Sequence, residues 1–521
     1  MTENKKISHD AFVQEGFSNL RPTTASYPRL YHAALAREIL FDVCAQDGRQ
    51  RAEESRVVLK LVNRSRGAGV VVANGSDLDE TLRRLLCPPV GREDLDDWLT
   101  QLASRALGSA RTDFMEEQCL HWWTNECPLF LVERCCYSMP EPLHKGSEEK
   151  FDGTMRVAFA LCRQVGGPDA AEPQPQSLDI EWLGGYWKMP PCARTPESMA
   201  TADALQDCMV SSFNSVDKRT AEVRAEHLQE VFDALTPALP RIFSCGITGV
   251  QSVTRIYAED RLFCAFVLCR LAAANRLKEP SRGLCLLQQA REVALHGRAA
   301  AAQPTASEGE RRRAWLERLP EAAVLSYIER TFGSTSAMQG DWQSASESWS
   351  ASLEHFPLNA TTQFFKGCFH LERRELQSAE SCLLKAIALD PDFKLPYLAL
   401  GNSLLQQRRF EPAIEAAVAC LERFPDTPIA QFIAGQAIYH ILRPALVGPA
   451  RGAVVAVAVG GLHGKELAEC AHRALGLAKR GVPEVWAKAD ERMLEFLAEP
   501  SLRSSLPREV VHVWRVYGWR P

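Results

Sequence analysis

Gly333, Gly367, Gly401 and Gly435 recur every 34 residues. Ala345, Ala379 and Ala413 keep the same step, as do Pro357, Pro391 and Pro425. Two further columns hold larger side chains, Trp342, Leu376 and Phe410, then Trp349, Leu383 and Ala417. A period of this length is that of a helix–turn–helix unit whose apolar face is buried only by stacked neighbours. The small residues fall where two helices cross closely, the large ones fill the gap between them, and proline closes the second helix. The pattern predicts an all-α fold, an α-solenoid of helical hairpins with units at 326–359, 360–393 and 394–427 and a fourth starting at 428.

The fourth unit is interrupted. Gly435 and Pro483 lie 48 residues apart where an unbroken unit needs about 24. The excess places an insertion at 441–464, with the second helix resuming at Lys465 and Ala471, Leu475, Ala478 and Pro483 on pattern. Residues 465–521 then complete the repeat and cap the stack. GGLHGK at 460–465 approaches a phosphate-binding loop, but Val459 and Glu466 stand where that loop needs glycine and Ser or Thr.

Upstream, residues 1–165 read as an irregular helical region, with helices expected near 29–45, 52–63, 77–87, 93–108, 112–137 and 149–165. Residues 166–200, dense in Pro and Gly, read as a linker. Residues 201–320 read as helical again, from about 217–235 and then a hairpin at 257–276 and 281–296. Only 68–73 and 452–459 have an ambiguous strand character.

The chain of 521 residues is 46% hydrophobic and carries a net charge of −5. That balance gives no electrostatic drive toward nucleic acid or an acidic membrane. The leading MTENKKISHDAF lacks the apolar core of a signal peptide, and the apolar stretch 445–462 is broken by Pro449 and Arg451, so no membrane span is expected. Seventeen cysteines without a C-x-x-C pair fit reduced core thiols, no metal and a cytoplasmic or nuclear location. CLHWWTNEC at 119–127 is best explained as a core-facing aromatic stripe.

Residues 394–427, with Tyr397, Leu400, Gly401, Leu404, Phe410, Ala413 and Pro425 on pattern, resemble the tetratricopeptide-repeat family. The resemblance implies that the first helix of each unit lines a concave groove for a protein partner. It assigns Phe364, Phe365 and Cys368, then Leu395, Leu398, Ala399, Asn402 and Leu405, then Phe432, Ile433, Gln436 and Tyr439 to that lining. An amphipathic helix or an apolar extended peptide suits such a surface. The alternative is a groove filled by the chain's own N-terminal segment or insertion. Family members that clamp the terminal carboxylate of heat-shock chaperones use Lys, Arg and Asn there. Arg330, Ser334, Phe365, Leu395 and Ala399 stand in those places, so such tails are not expected to bind.

Trp122-Trp123-Thr124, Phe365-x-Gly367-Cys368, Lys465-Glu466-Leu467 and Pro483-Glu484-Val485-Trp486 are similar to the tetratricopeptide repeat protein 27 family, whose members are much longer. That likeness implies an assembly factor for large complexes without enzymatic activity. The expected function is therefore a non-catalytic scaffold or adaptor needing no cofactor. Two alternatives stay open: an enzyme whose active site lies within 1–300, and a structural subunit of a large complex.

Overall fold

The computed structural model describes residues 4–44, 55–64, 68–108, 113–136, 141–142, 148–163, 178–193, 195, 208, 220–244, 250–296, 307–447, 458–459, 462–463, 472, 475 and 479. The chain divides into two units. Unit 1 comprises 1–92 and 112–356, and unit 2 comprises 93–111 and 357–521.

Unit 1 overturns the all-α expectation. Its centre is a four-stranded antiparallel sheet in the order β1-β4-β2-β3, formed by β1 (Thr24–Pro28), β2 (Arg56–Leu61), β3 (Val70–Asn74) and β4 (Leu129–Arg134). The helix expected at 52–63 is β2, whose Val57, Leu59 and Leu61 alternate onto one buried face. That two-residue period and the β-branched valines are strand signals. The helix expected at 112–137 splits into α5 (Phe114–Trp123) and β4. The break is local chemistry. The Asn125 side chain accepts from the Cys127 amide at 2.9 Å, and Pro128 holds the preceding residue extended.

Both faces of this sheet are covered. On one, Val57, Leu59, Phe130 and Val132 pack with α2 (Leu35–Cys44), α3 (Leu78–Leu86) and Trp122 of α5. Trp122 and Phe130 meet edge to face at 5.2 Å, so the aromatic stripe does face a core. On the other, Leu129 and Leu131 pack with α1 (Lys5–Gln14) and the hairpin α9 (Arg261–Asn275) and α10 (Pro280–Leu295). Burial on both sides explains why β4 shows no alternation.

Two smaller sheets complete the correction. β5 (Glu141–Pro142) pairs with β6 (Lys150–Phe151). β7 (Thr154–Arg163), β8 (Leu178–Lys188) and β9 (Thr220–Glu222) form a three-stranded antiparallel sheet. β7 replaces the helix expected at 149–165, and β8 runs through the expected linker 166–200. Trp182 of β8 stacks on Phe232 of α6 (Ala225–Leu235) at 4.1 Å. Short helices α7 (Leu239–Ser244) and α8 (Val250–Ile256) follow.

Unit 1 ends in the first repeat. A single helix, α11 (Glu308–Met338), starts at a Ser307–Glu310 capping box and runs on as the first arm of the hairpin with α12 (Trp342–His355). The expected boundary near 320–326 therefore falls inside one helix. Gly333 sits at the crossing, where an added Cβ would stand 2.6 Å from Trp349 and 2.9 Å from the Ala345 carbonyl.

Unit 2 holds α4 (Leu95–Ser104), then α13 (Ala360–Glu372), α14 (Leu376–Leu389), α15 (Lys394–Gln406), α16 (Phe410–Arg423) and α17 (Pro428–Val447). α13–α14 and α15–α16 are the second and third hairpins, and α17 opens the fourth. Ala379 and Ala413 are fully buried at the crossings. Pro391 and Pro425 each follow a helix that ends two residues earlier. α4 lies against α14, the second helix of its repeat, burying Leu95 and Leu99. α17 continues to Val447, into the expected insertion, and a two-stranded ladder pairs β10 (Ala458–Val459) with β11 (Leu462–His463). The rest of 441–464 beyond Val447, and nearly all of 465–521, lie outside the described residues.

Candidate functional site

The first helices of unit 2, α13, α15 and α17, lie side by side, α15 packing on both neighbours. Because the repeat sets their register, residues 34 apart stand in columns along this row. One column is Phe364, Leu398 and Phe432, all half-buried. A second is Cys368, Asn402 and Gln436, with Asn402 exposed. A third joins Leu371, Leu405 and Tyr439, again half-buried. The fourth contains Leu395, 49% exposed, and Ile429, 45% exposed. None of these residues carries a formal charge.

Aromatic contacts fix parts of the row. Phe364 meets Phe365 at 5.6 Å and Phe393, the residue that caps the start of α15, at 5.1 Å. His440 stacks on Phe410 at 5.2 Å and touches Tyr439 at 5.4 Å. Burial pushes the Cys368 thiol up to about 11, so this lining cysteine is a neutral thiol.

One assignment from sequence changes. Ile433 does not line the row: it is 2% exposed, and its methyl carbons lie over Gly401. Phe365 and Ala399, in the same column, are half-buried. Ile429 was missed, although the 34-residue step from Leu395 reaches it. Gly367 faces Leu383, 2.9 Å from where its Cβ would stand. Gly435 is buried, and Pro357 is buried ahead of α13.

The turns between first and second helices share a feature that the apolar pattern hides. Gly340, Arg374 and Arg408, again 34 apart, all have left-handed backbone, with φ of 82°, 59° and 59°. Each ends its helix in the same way. The Asp341, Glu375 and Arg409 amides donate to Ser336, His370 and Leu404 carbonyls at 3.0, 2.9 and 2.9 Å. This is a six-to-one closure that glycine adopts without strain.

A family profile described as tetratricopeptide repeat matches residues 398–445, which span most of α15, α16 and most of α17. The chain thus carries a tetratricopeptide repeat there, a type of unit that suggests protein–protein interaction. No curated protein matches the chain, so the narrower likeness to the repeat protein 27 family rests on its short motifs alone. Among the described residues, no helix is long and apolar enough to cross a membrane.

Proposed function

We propose that the protein is a non-catalytic interaction scaffold whose first-helix row in unit 2 receives an apolar or amphipathic segment of a protein partner. The observation that supports this reading is the pair Leu395 and Ile429, large aliphatic side chains about half exposed on successive first helices. They border columns of half-buried aromatic and aliphatic residues interrupted only by the amides Asn402 and Gln436. Contiguous apolar surface of this kind commonly marks a contact. A lining without charge suits a partner held by shape and burial, and does not suit the carboxylate tails of heat-shock chaperones. The adaptor or assembly role, in the cytoplasm or nucleus, belongs to the same reading.

The test uses the exposed positions, which can be changed without opening the core. Leu395→Asp combined with Ile429→Asp should leave the thermal midpoint close to wild type. It should also remove a defined subset of proteins from affinity purifications quantified by mass spectrometry. An unchanged protein list from a folded double variant sinks the reading.

A further inference from the structure

Along α15, Leu395, Leu398, Asn402 and Leu405 follow one another by three or four residues, the spacing of one helix face. Three residues further, just past the helix end, stands Arg408. α13 repeats the arrangement with Phe364, Cys368 and Leu371, then Arg374. The apolar row of unit 2 is thus bordered, at the C-terminal ends of two first helices, by exposed arginines 34 residues apart.

Neighbouring arginines are used within the fold. Arg373 is bound to Glu375 at 2.9 Å, Arg409 to Glu380, and Arg423 to Asp392 at 3.2 Å. Arg374 and Arg408 make no ion pair or side-chain hydrogen bond among the described residues. Glu372 stands two residues before Arg374, but Gln406 takes that place before Arg408, so the acid does not recur with the arginines. Both arginines hold left-handed backbone, φ 59°, where the first repeat has Gly340. A side chain there costs stability, and neither guanidinium returns it through a contact inside the fold. Strain carried by a residue that the fold itself does not use points to a role outside it.

We propose that Arg374 and Arg408 select, for the first-helix row, a protein segment carrying carboxylates along one flank of its apolar face. The inference rests on the reading of that row as a docking surface. Apolar anchors of the segment lie across the columns of Phe364, Leu398 and Leu405. An Asp or Glu side chain meets each guanidinium separately, in the forked geometry that arginine offers a carboxylate. A segment with a basic flank is disfavoured by the same two charges. A polyanion without apolar anchors leaves the row uncovered and is not the occupant.

The test pans a phage-displayed library of random peptides on the full-length protein. The best binders are synthesised with both termini blocked and titrated by fluorescence anisotropy. Wild type should select peptides that combine Leu, Ile or Phe with Asp or Glu. Arg374→Gly with Arg408→Gly, which keeps the turns in a conformation that glycine adopts readily, should bind them about two- to thirtyfold more weakly. Replacing the peptide's acids by amides should weaken binding to wild type by a similar factor and leave binding to the glycine variant unchanged. Arg83→Gln with Arg282→Gln, which removes the same charge from exposed places in unit 1, should bind like wild type. A selection without acidic peptides overturns the proposal, as does one of acidic peptides that lack apolar residues. Equal binding by wild type and the glycine variant also overturns it. If that equality comes with lost binding to Leu395→Asp combined with Ile429→Asp, the row still docks a partner and only the part of the arginines falls. If the peptides bind that variant like wild type, the row itself is not the docking surface, and both readings fall.

Discussion

The methyl group that Gly401 lacks would stand 3.1 Å from Cγ2 of Ile433, while that of Gly333 would stand 2.9 Å from the carbonyl oxygen of Ala345. Ile433 is a side chain on the next first helix and can rotate or shift. A backbone carbonyl inside a helix cannot. In the third repeat the second-helix column holds Ala417, too small to cover Gly401 as Trp349 covers Gly333, and Ile433 fills the space instead.

The two glycines should therefore respond differently to one methyl group. Alanine raises helix propensity by about 1 kcal/mol at either position. At Gly401 that gain offsets mild crowding, and Gly401→Ala should stay within about 1 kcal/mol of wild type. Gly333→Ala should destabilise by about 1–3 kcal/mol through overpacking against Trp349 and the Ala345 carbonyl. Chemical denaturation of both variants checks the ordering, and equal losses contradict it.

Arg374 and Arg408 hold the left-handed conformation that glycine holds at Gly340. An L side chain there costs roughly 1–2 kcal/mol, part of which glycine returns as unfolded-state entropy. Arg374→Gly and Arg408→Gly should each stabilise by about 0.5–1 kcal/mol, additively because they sit in different turns. Thermal unfolding of the single and double variants measures this, and a loss in either single variant refutes it.

Much of the repeat region was legible because its columns are set by contacts inside each 34-residue unit. Gly367 against Leu383, Ala379 and Ala413 at the crossings, and Pro391 after α14 all follow from one period. The half-buried row of Phe364, Leu398 and Phe432 follows from it too. In the amino-terminal half β2 does alternate, and its period was read as helical, while other strands lack such regularity. β4 is buried on both faces and shows no alternation, and its Leu129–Arg134 run follows α5 after only five residues. β7 and β8 lie either side of a stretch rich in Pro and Gly that resembles a linker, yet they pair across it from Arg163 and Leu178. Their pairing is non-local, so a window on the sequence shows neither partner to the other. Ile433 was misassigned for a related reason: its burial depends on Gly401 in a different repeat.

Arg29 is a third point of test. Its guanidinium is 5% exposed and donates to the carbonyls of Trp122, Asn125 and Cys127, closing the end of α5 and the turn into β4. No carboxylate balances it among the contacts described, and burial lowers it to about 10. Arg29→Met would take this donor from the buried carbonyls of Asn125 and Cys127 and leave Trp122 only the Asn125 amide, at 3.4 Å, and should cost about 2–5 kcal/mol. Arg29→Lys, with one point of charge in place of a planar fork, should recover only part of that. Equal stability of the methionine variant and wild type in denaturant would falsify this role.

Lys5 makes stability depend on pH in the alkaline range. Burial first, and then Lys60, bring it from 10.5 to about 8 in the folded protein. Between those values the unfolded chain binds more protons than the folded one, so this group's contribution to stability rises as pH increases from about 8 toward 10.5. Below about 8 the group is protonated in both states and adds no slope. Cysteine burial acts oppositely at high pH, since Cys127 is pushed up to about 12. The measurement is therefore the difference in stability between wild type and Lys5→Met across pH 7.5–9.5. That difference should grow in favour of wild type with pH, and a flat difference rules the linkage out.

α4 is made by the ribosome roughly 280 residues before α14, the helix it rests on. At about 5–20 residues per second, its Leu95 and Leu99 face wait on the order of 14–56 s for their seat to emerge. During translation this stretch is an amphipathic helix without its cover, vulnerable to capture by chaperones or by neighbouring nascent chains. Completion of the carboxy-terminal half is thereby tied to survival of a segment synthesised near the start.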